Sequence, residues 1–249
     1  MFENISFATV LVSYTSLLFS LSVHEASHAS MADVLGDDTA ARAGRMSINP
    51  MAHIDPLGTV VFPLMGLILG GFFIGWAKPV PFNPVNFTRK IRVKTGGALV
   101  SLAGPASNVM LSFLFLGIMC LSIRATVPDV EARWALLQAC FRGPVPLQAM
   151  GLPMGQVLVL SLGGALVFMN VLLAAFNMLP LGPLDGAGVL RGLLPDRWLP
   201  RYDYYRYHRY TMPILFVLMI TGVVGIFLKP VLVLLYWTLN PVAHYILGA

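Results

Sequence analysis

Charge is what this 249-residue chain has least of: Asp, Glu, Lys and Arg make up 11% of it, against roughly 25% in a soluble domain. With 57% hydrophobic residues and a mean hydropathy of +0.77, that scarcity excludes an ordinary water-soluble fold, whose surface would have to interrupt the long apolar runs. Cysteine is scarce too. Cys120 and Cys140 are the only two, which excludes a disulfide scaffold and leaves the redox compartment open. Gly and Pro follow no period, so the chain is not collagen-like, and no repeat or low-complexity tract is present. The N-terminus lacks the basic n-region and cleavage site of a signal peptide, so its apolar run reads as a span. A basic groove-reading element is missing as well. The net charge of +5 and pI near 9.4 therefore point to cytoplasmic retention and anionic membrane lipids, not to nucleic acid.

What is present is six uncharged stretches: 5–23, 56–77, 95–123, 143–184, 210–228 and 230 to the end. A transmembrane helix needs about 20 apolar residues, which gives expected spans at 6–33, 96–123, 155–181 and 212–228. The tail after Lys229-Pro230 is either a sixth span or an interfacial helix. Residues 56–77 carry Pro63 and Gly70-Gly71 and leave through Gly75-Trp76-Ala77-Lys78-Pro79-Val80-Pro81, an exit too rich in helix breakers for a plain span. The reading is an all-α polytopic integral membrane protein with about four to six transmembrane helices, a re-entrant segment around 56–94, and a single membrane-embedded domain over 1–249. Residues 128–142 suit a short amphipathic interfacial helix. The tyrosines and arginines between Asp196 and Tyr210 suit a headgroup-level anchor.

The chain has few glutamates and only 5 histidines, yet three of these residues fall together in His24-Glu25-Ala26-Ser27-His28. Two histidines four apart share one helical face, one turn apart, where both imidazoles can grip one Zn²⁺. Glu25 is placed to accept a proton from a water activated by the metal. Left as a mere polar patch, two imidazoles and a carboxyl in a membrane helix would cost several kcal/mol, an expense a metal ion offsets. Two histidines and a water leave a tetrahedral zinc one protein ligand short. Glu131 is the only downstream glutamate, but it falls in the amphipathic segment. Asp185 fits better, because Pro180, Gly182 and Pro183 break the chain just before it. From the residues alone, an incidental Asp in a helix-terminal loop is equally consistent.

HExxH on an early membrane helix, followed by Asn177-x-x-Pro180-x-x-x-Leu184-Asp185-Gly186 at a later one, resembles the site-2 protease family of intramembrane zinc metalloproteases. The resemblance covers nearly the whole chain, since Gly104-Pro105-Ala106-Ser107-Asn108 matches the family's Gly-x-x-x-Asn element. It implies one Zn²⁺ per chain held by His24, His28 and Asp185, with Glu25 as general base. It also implies that Asn177 steadies substrate or oxyanion, and that Gly104 and Asn108 lie near the active site, assigned here with Asn177 to substrate or oxyanion binding. The absence of a PDZ or CBS domain, and of any helix before the HExxH one, marks an expected compact member.

Ligand parity constrains the topology. If 56–77 crossed the membrane, His24 and Asp185 would end on opposite faces and could not share a metal. If the segment dips in and returns, they end on the same face. Re-entry also gathers Arg42, Arg45, Lys78, the Arg89–Lys94 cluster and the arginines from Arg191 to Arg209 on one side. Arg124, Arg133, Arg142 and Lys229 remain opposite, and the positive-inside rule makes the richer side cytoplasmic. His24 then lies about 14 Å along its helix from the cytoplasmic end, at 1.5 Å per residue, inside the bilayer of the cell membrane. His53 reads as a loop residue satisfying local backbone, and His208 and His244 as interfacial. The expected function is hydrolysis of a peptide bond within or near a transmembrane segment of a membrane-protein substrate. The rivals are an ion- or proton-coupled transporter and a catalytically silent membrane scaffold.

Overall fold

The computed structural model describes residues 7–63, 75–141, 147 and 150–248. Among these residues the chain is helical, with no strand: α1 (Phe7–Val34), α2 (Thr39–Arg42), α3 (Val93–Thr126), α4 (Val130–Cys140), α5 (Met154–Asn177), α6 (Asp185–Leu193), α7 (Leu199–Arg206), α8 (Thr211–Ile220) and α9 (Val223–Leu247). Four of them, α1, α3, α5 and α9, are long and apolar enough to cross a membrane, so the protein is a polytopic membrane protein. Their large apolar side chains are widely exposed, as at Leu11, Met110, Phe168 and Trp237. In lipid such exposure costs nothing, and only small and polar residues need face the bundle interior.

Helix α3 stands in the middle, packed against α1, α5, α6 and α9. The bond from His28 on α1 to the Val100 carbonyl near the start of α3 sets α1 antiparallel to α3. That from Gln156 at the start of α5 to Thr126 at the end of α3 sets α5 antiparallel to α3 as well. Hence α1 and α5 run the same way, as ligand parity requires. The far end is closed by amphipathic α4, whose Asp129 caps Ala132 N at 2.7 Å and whose Leu136, Leu137 and Cys140 pack with Cys120, Ile123, Leu160 and Leu247. At the near end Ala175, Leu179 and Leu184 pack with Leu215, Val224 and Leu228.

The last two helices differ from the sequence expectation of a span at 212–228 and a separate tail. Helix α8 has 10 residues, about 15 Å, half of a bilayer core. The break falls at Gly222, whose φ of 74° lies in the left-handed region that glycine enters without a Cβ penalty. Helix α9 then runs 25 residues through both Pro230 and Pro241. Each proline forfeits one backbone bond, while Leu228, Val231, Leu232 and Leu235 keep one apolar face across the first. Because α9 starts beside Leu184, Lys229 sits at the Asp185 end of the bundle, not opposite it.

The expected dip at 56–94 is described at both its ends. Trp76 N donates to Gly58 O at 3.1 Å and Lys78 N to His53 O at 2.8 Å, so the chain departs and returns at one place. Residues 64–74, between these ends, lie outside the described residues.

Candidate metal centre

Two helix ends bring the centre together. His24 and His28 sit one turn apart on α1, and both are buried. Asp185 is the first residue of α6, delivered by the turn that Pro180 and Pro183 force after α5. Asp185 Oδ2 lies 3.0 Å from His24 Nε2 and 3.3 Å from His28 Nε2, and the two Nε2 atoms are 3.1 Å apart. They form the one cluster of three metal-binding side chains among the described residues.

The other imidazole nitrogens are committed elsewhere. His28 Nδ1 lies 2.6 Å from the Val100 carbonyl, which can only accept. His24 Nδ1 lies 2.5 Å from Asn108 Oδ1. Both Nδ1 atoms must therefore carry the proton and donate, leaving each neutral ring with a lone pair on Nε2. In the neutral rings two such lone pairs and a carboxylate oxygen converge, an arrangement that repels itself unless a metal ion or a proton bridges it. For a tetrahedral Zn²⁺ with ligands about 2.0–2.1 Å away, ligand atoms lie about 3.3 Å apart. The observed spacings of 3.0 to 3.3 Å fit that ion closely, and imidazole with carboxylate is a zinc donor set.

Glu25 projects from the next position of α1. Its Oε2 accepts from Val80 N at 3.1 Å, so a returning extended segment holds the carboxylate beside the centre and outside the cluster. That segment is pinned at alternate residues: the N–H groups of Trp76, Lys78 and Val80 all bond inward. Asn83 N then bonds to Asp37 Oδ2 at 2.5 Å. Pro79 and Pro81 fall on the opposite edge, where the carbonyls of Ala77, Pro79 and Pro81 carry no bond among the described residues.

Gly104 is the floor of the centre. A Cβ there would stand 2.5 Å from His28 Nε2 and 2.6 Å from His24 Nε2, so only glycine lets α3 pass beneath both rings. Asn108, expected to face a substrate, is instead fully buried. Its oxygen meets His24, and its Nδ2 donates to Asn170 Oδ1 at 2.7 Å. Neither residue offers a free polar side-chain group to a substrate, because α3 turns that face toward α1 and α5. Asn177 ends α5, half-buried, and its Nδ2 donates to Leu173 O at 3.0 Å. Glu131 is on α4 at the far end of the bundle. His53 is buried in the loop before the dip, with Nε2 bonded to Ser47 O at 2.7 Å. His208 rests among Tyr204 and Tyr210, and His244 against Trp134.

Asn170 escaped the sequence reading. A lone amide in the middle of the longest uncharged run must find a buried partner in a membrane helix, which was the signal that could have found it.

With this geometry in place, the profile of Peptidase family M50 matches residues 13–222, which takes in the histidine pair, Asn108 and Asp185. The chain belongs to peptidase family M50. Among similar proteins, the candidate zinc metalloprotease YwhC of Bacillus subtilis is 34% identical over 180 residues, which cover 72% of this chain and 68% of that protein. The candidate zinc metalloprotease Rip2 of Mycolicibacterium smegmatis is 28% identical over 174 residues, 70% of this chain and 53% of the relative. This M50 chain thus spans about half the length of Rip2. No solved structure matches it.

Proposed function

We propose that this M50 chain is an intramembrane zinc metalloprotease that hydrolyses a peptide bond within or near a transmembrane segment of a membrane-protein substrate. The observation that carries the reading is the convergence of two Nε2 atoms and one carboxylate oxygen at 3.0 to 3.3 Å, with each Nδ1 bonded to an acceptor. His24, His28 and Asp185 would hold the zinc. When bound, the ion supplies a Lewis acid for the scissile carbonyl and makes water nucleophilic near neutral pH.

Glu25 takes the proton of the attacking water and returns it to the leaving amine. The Val80 N–H fixes its Oε2, which leaves Oε1 for that transfer. A substrate helix has its backbone bonds internally paired and must unwind before attack. The unbonded edge at Ala77, Pro79 and Pro81 then faces an extended peptide with carbonyl acceptors. At the end of α5, Asn177 is left as the amide for steadying substrate. The single membrane domain, the cell-membrane location and a centre opening toward the cytoplasm are parts of the same proposal, supported by the basic residues gathered at the Asp185 end.

Cleavage of single-span test substrates by the reconstituted protein is the test. Wild type should cleave and a chelator should stop it, while Glu25→Gln should lose about 10²- to 10⁴-fold in rate. Undiminished cleavage by Glu25→Gln would contradict the assignment.

A further inference from the structure

Of the two imidazoles, His28 has its tautomer set by a backbone carbonyl, which cannot turn round. His24 depends on a side-chain amide, whose two ends have nearly the same shape and can exchange. Were Asn108 reversed, its Nδ2 would face His24 Nδ1. The proton would then be forced onto Nε2, where it would occupy the lone pair needed for a metal. Something must therefore hold Asn108 in one orientation.

We propose that Asn170 is that positioning residue: acting through Asn108, it keeps His24 Nε2 unprotonated toward the metal. The inference rests on the reading of His24, His28 and Asp185 as zinc ligands. Its polarity is anchored on a group that can only accept. Asn170 Nδ2 donates to the Leu166 carbonyl at 2.8 Å and to Ser20 Oγ at 2.9 Å, which fixes Asn170 Oδ1 toward Asn108. Asn108 Nδ2 must then face Asn170, at 2.7 Å, and Asn108 Oδ1 must face His24. The only other acceptor for Asn108 Nδ2 among the described residues is the Ser20 carbonyl at 3.4 Å, a longer and weaker bond. Both amides are fully buried, so water cannot substitute for a lost link. One line of donation thus runs from His24 on α1 through Asn108 on α3 to Asn170 and the Leu166 carbonyl of α5.

The experiment measures the affinity of the detergent-purified full chain for Zn²⁺ by competition with a chelator. The proteins compared are wild type, Asn170→Leu, Asn108→Asp and the double variant Asn108→Asp/Asn170→Leu. Asn170→Leu alone should weaken zinc by about 10- to 100-fold, the usual cost of losing an outer-shell partner. A carboxylate at 108 accepts from His24 Nδ1 in either orientation and turns its other oxygen toward Asn170 Oδ1, so in that background Asn170→Leu should cost no zinc affinity. A residue that merely packs α5 against α3 would cost the same in both backgrounds.

Equal zinc affinity in wild type and Asn170→Leu would overturn the proposal, as would an equal loss in both backgrounds. If Asn170→Leu alone fails to fold, the double variant decides. A folded double variant binding zinc at least as tightly as Asn108→Asp supports the proposal, and a misfolded or more zinc-poor one overturns it. A wild type that binds no zinc overturns the metal reading instead, which separates the two failures.

Discussion

His24 and His28 each spend Nδ1 on an acceptor supplied by α3, and the same helix passes beneath them at Gly104. A methyl group at position 104 would overlap both rings at 2.5 to 2.6 Å, so Gly104→Ala should expel zinc from a folded protein. Gly97→Ala on the same helix, where nothing lies within 4 Å, should retain it. Metal analysis of the two purified variants checks this, and a Gly104→Ala protein with full zinc would contradict the close approach. The histidine pair was legible in the sequence because a spacing of four fixes a shared helical face before any tertiary contact forms. Asn108 was legible only as a neighbour of the site. Sequence spacing along α3 says which residues share a face, but which face meets α1 is decided by packing, and packing turned the amide onto a ligand. Asn170 had no motif around it, only the signal of an amide inside an apolar run, and its partners became visible through its bonds.

At the scale of elements, the returning segment 75–86 is held, up to the single helical turn Pro84–Asn86, by its bonds rather than by helical or sheet structure. Its far end hangs on Asp37, a fully buried side chain that accepts from Thr39, Asn83 and Asn86. Burial alone would push this carboxyl up, but those donors outweigh it and hold it below its ordinary value of 3.8. A depressed folded value means that the anchor contributes fully above the ordinary value and is lost as pH falls through the lowered one. Exchange protection of the Asn83 backbone amide, which donates to Asp37, should therefore be high at neutral pH and collapse in acid. In Asp37→Asn it should already be low at neutral pH, and equal protection in the two proteins would contradict the anchor. The breakers of this segment were readable as an interruption, whereas its partners, far apart in sequence, were not. The end of the chain teaches the converse. Lys229-Pro230 looked like a boundary, yet continuous apolar packing carried α9 across it. Gly222, less conspicuous in the sequence, made the break, because the backbone there adopts a left-handed φ between the two helices.

For the whole molecule, α1 and α5 parallel and α3 between them reversed place the histidine pair and Asp185 at one end of the bundle. Ligand parity anticipated this arrangement, since a shared metal allows no other sense for the two helices. The same arrangement gathers Arg42, Lys90, Arg191 and, through α9, Lys229 at that end, and leaves Arg124 and Arg133 bonded to the carbonyls of Ile246 and Leu247 at the other. The native cysteines are buried, so introduced thiols can report sidedness. Arg42→Cys and Lys90→Cys should be labelled from the cytoplasm, and Tyr245→Cys from the opposite face; labelling of position 42 or 90 only from outside would contradict the topology. The claim on which the rest depends is that His24, His28 and Asp185 hold one metal ion while Glu25 does not. Zinc per mole of detergent-purified protein tests it most directly, in wild type, His24→Ala, Asp185→Ala and Glu25→Gln. The account predicts about one zinc in wild type and in Glu25→Gln, and its loss from the other two, as a three-ligand site requires. A well-folded wild type without zinc, or zinc undisturbed by Asp185→Ala, would contradict it.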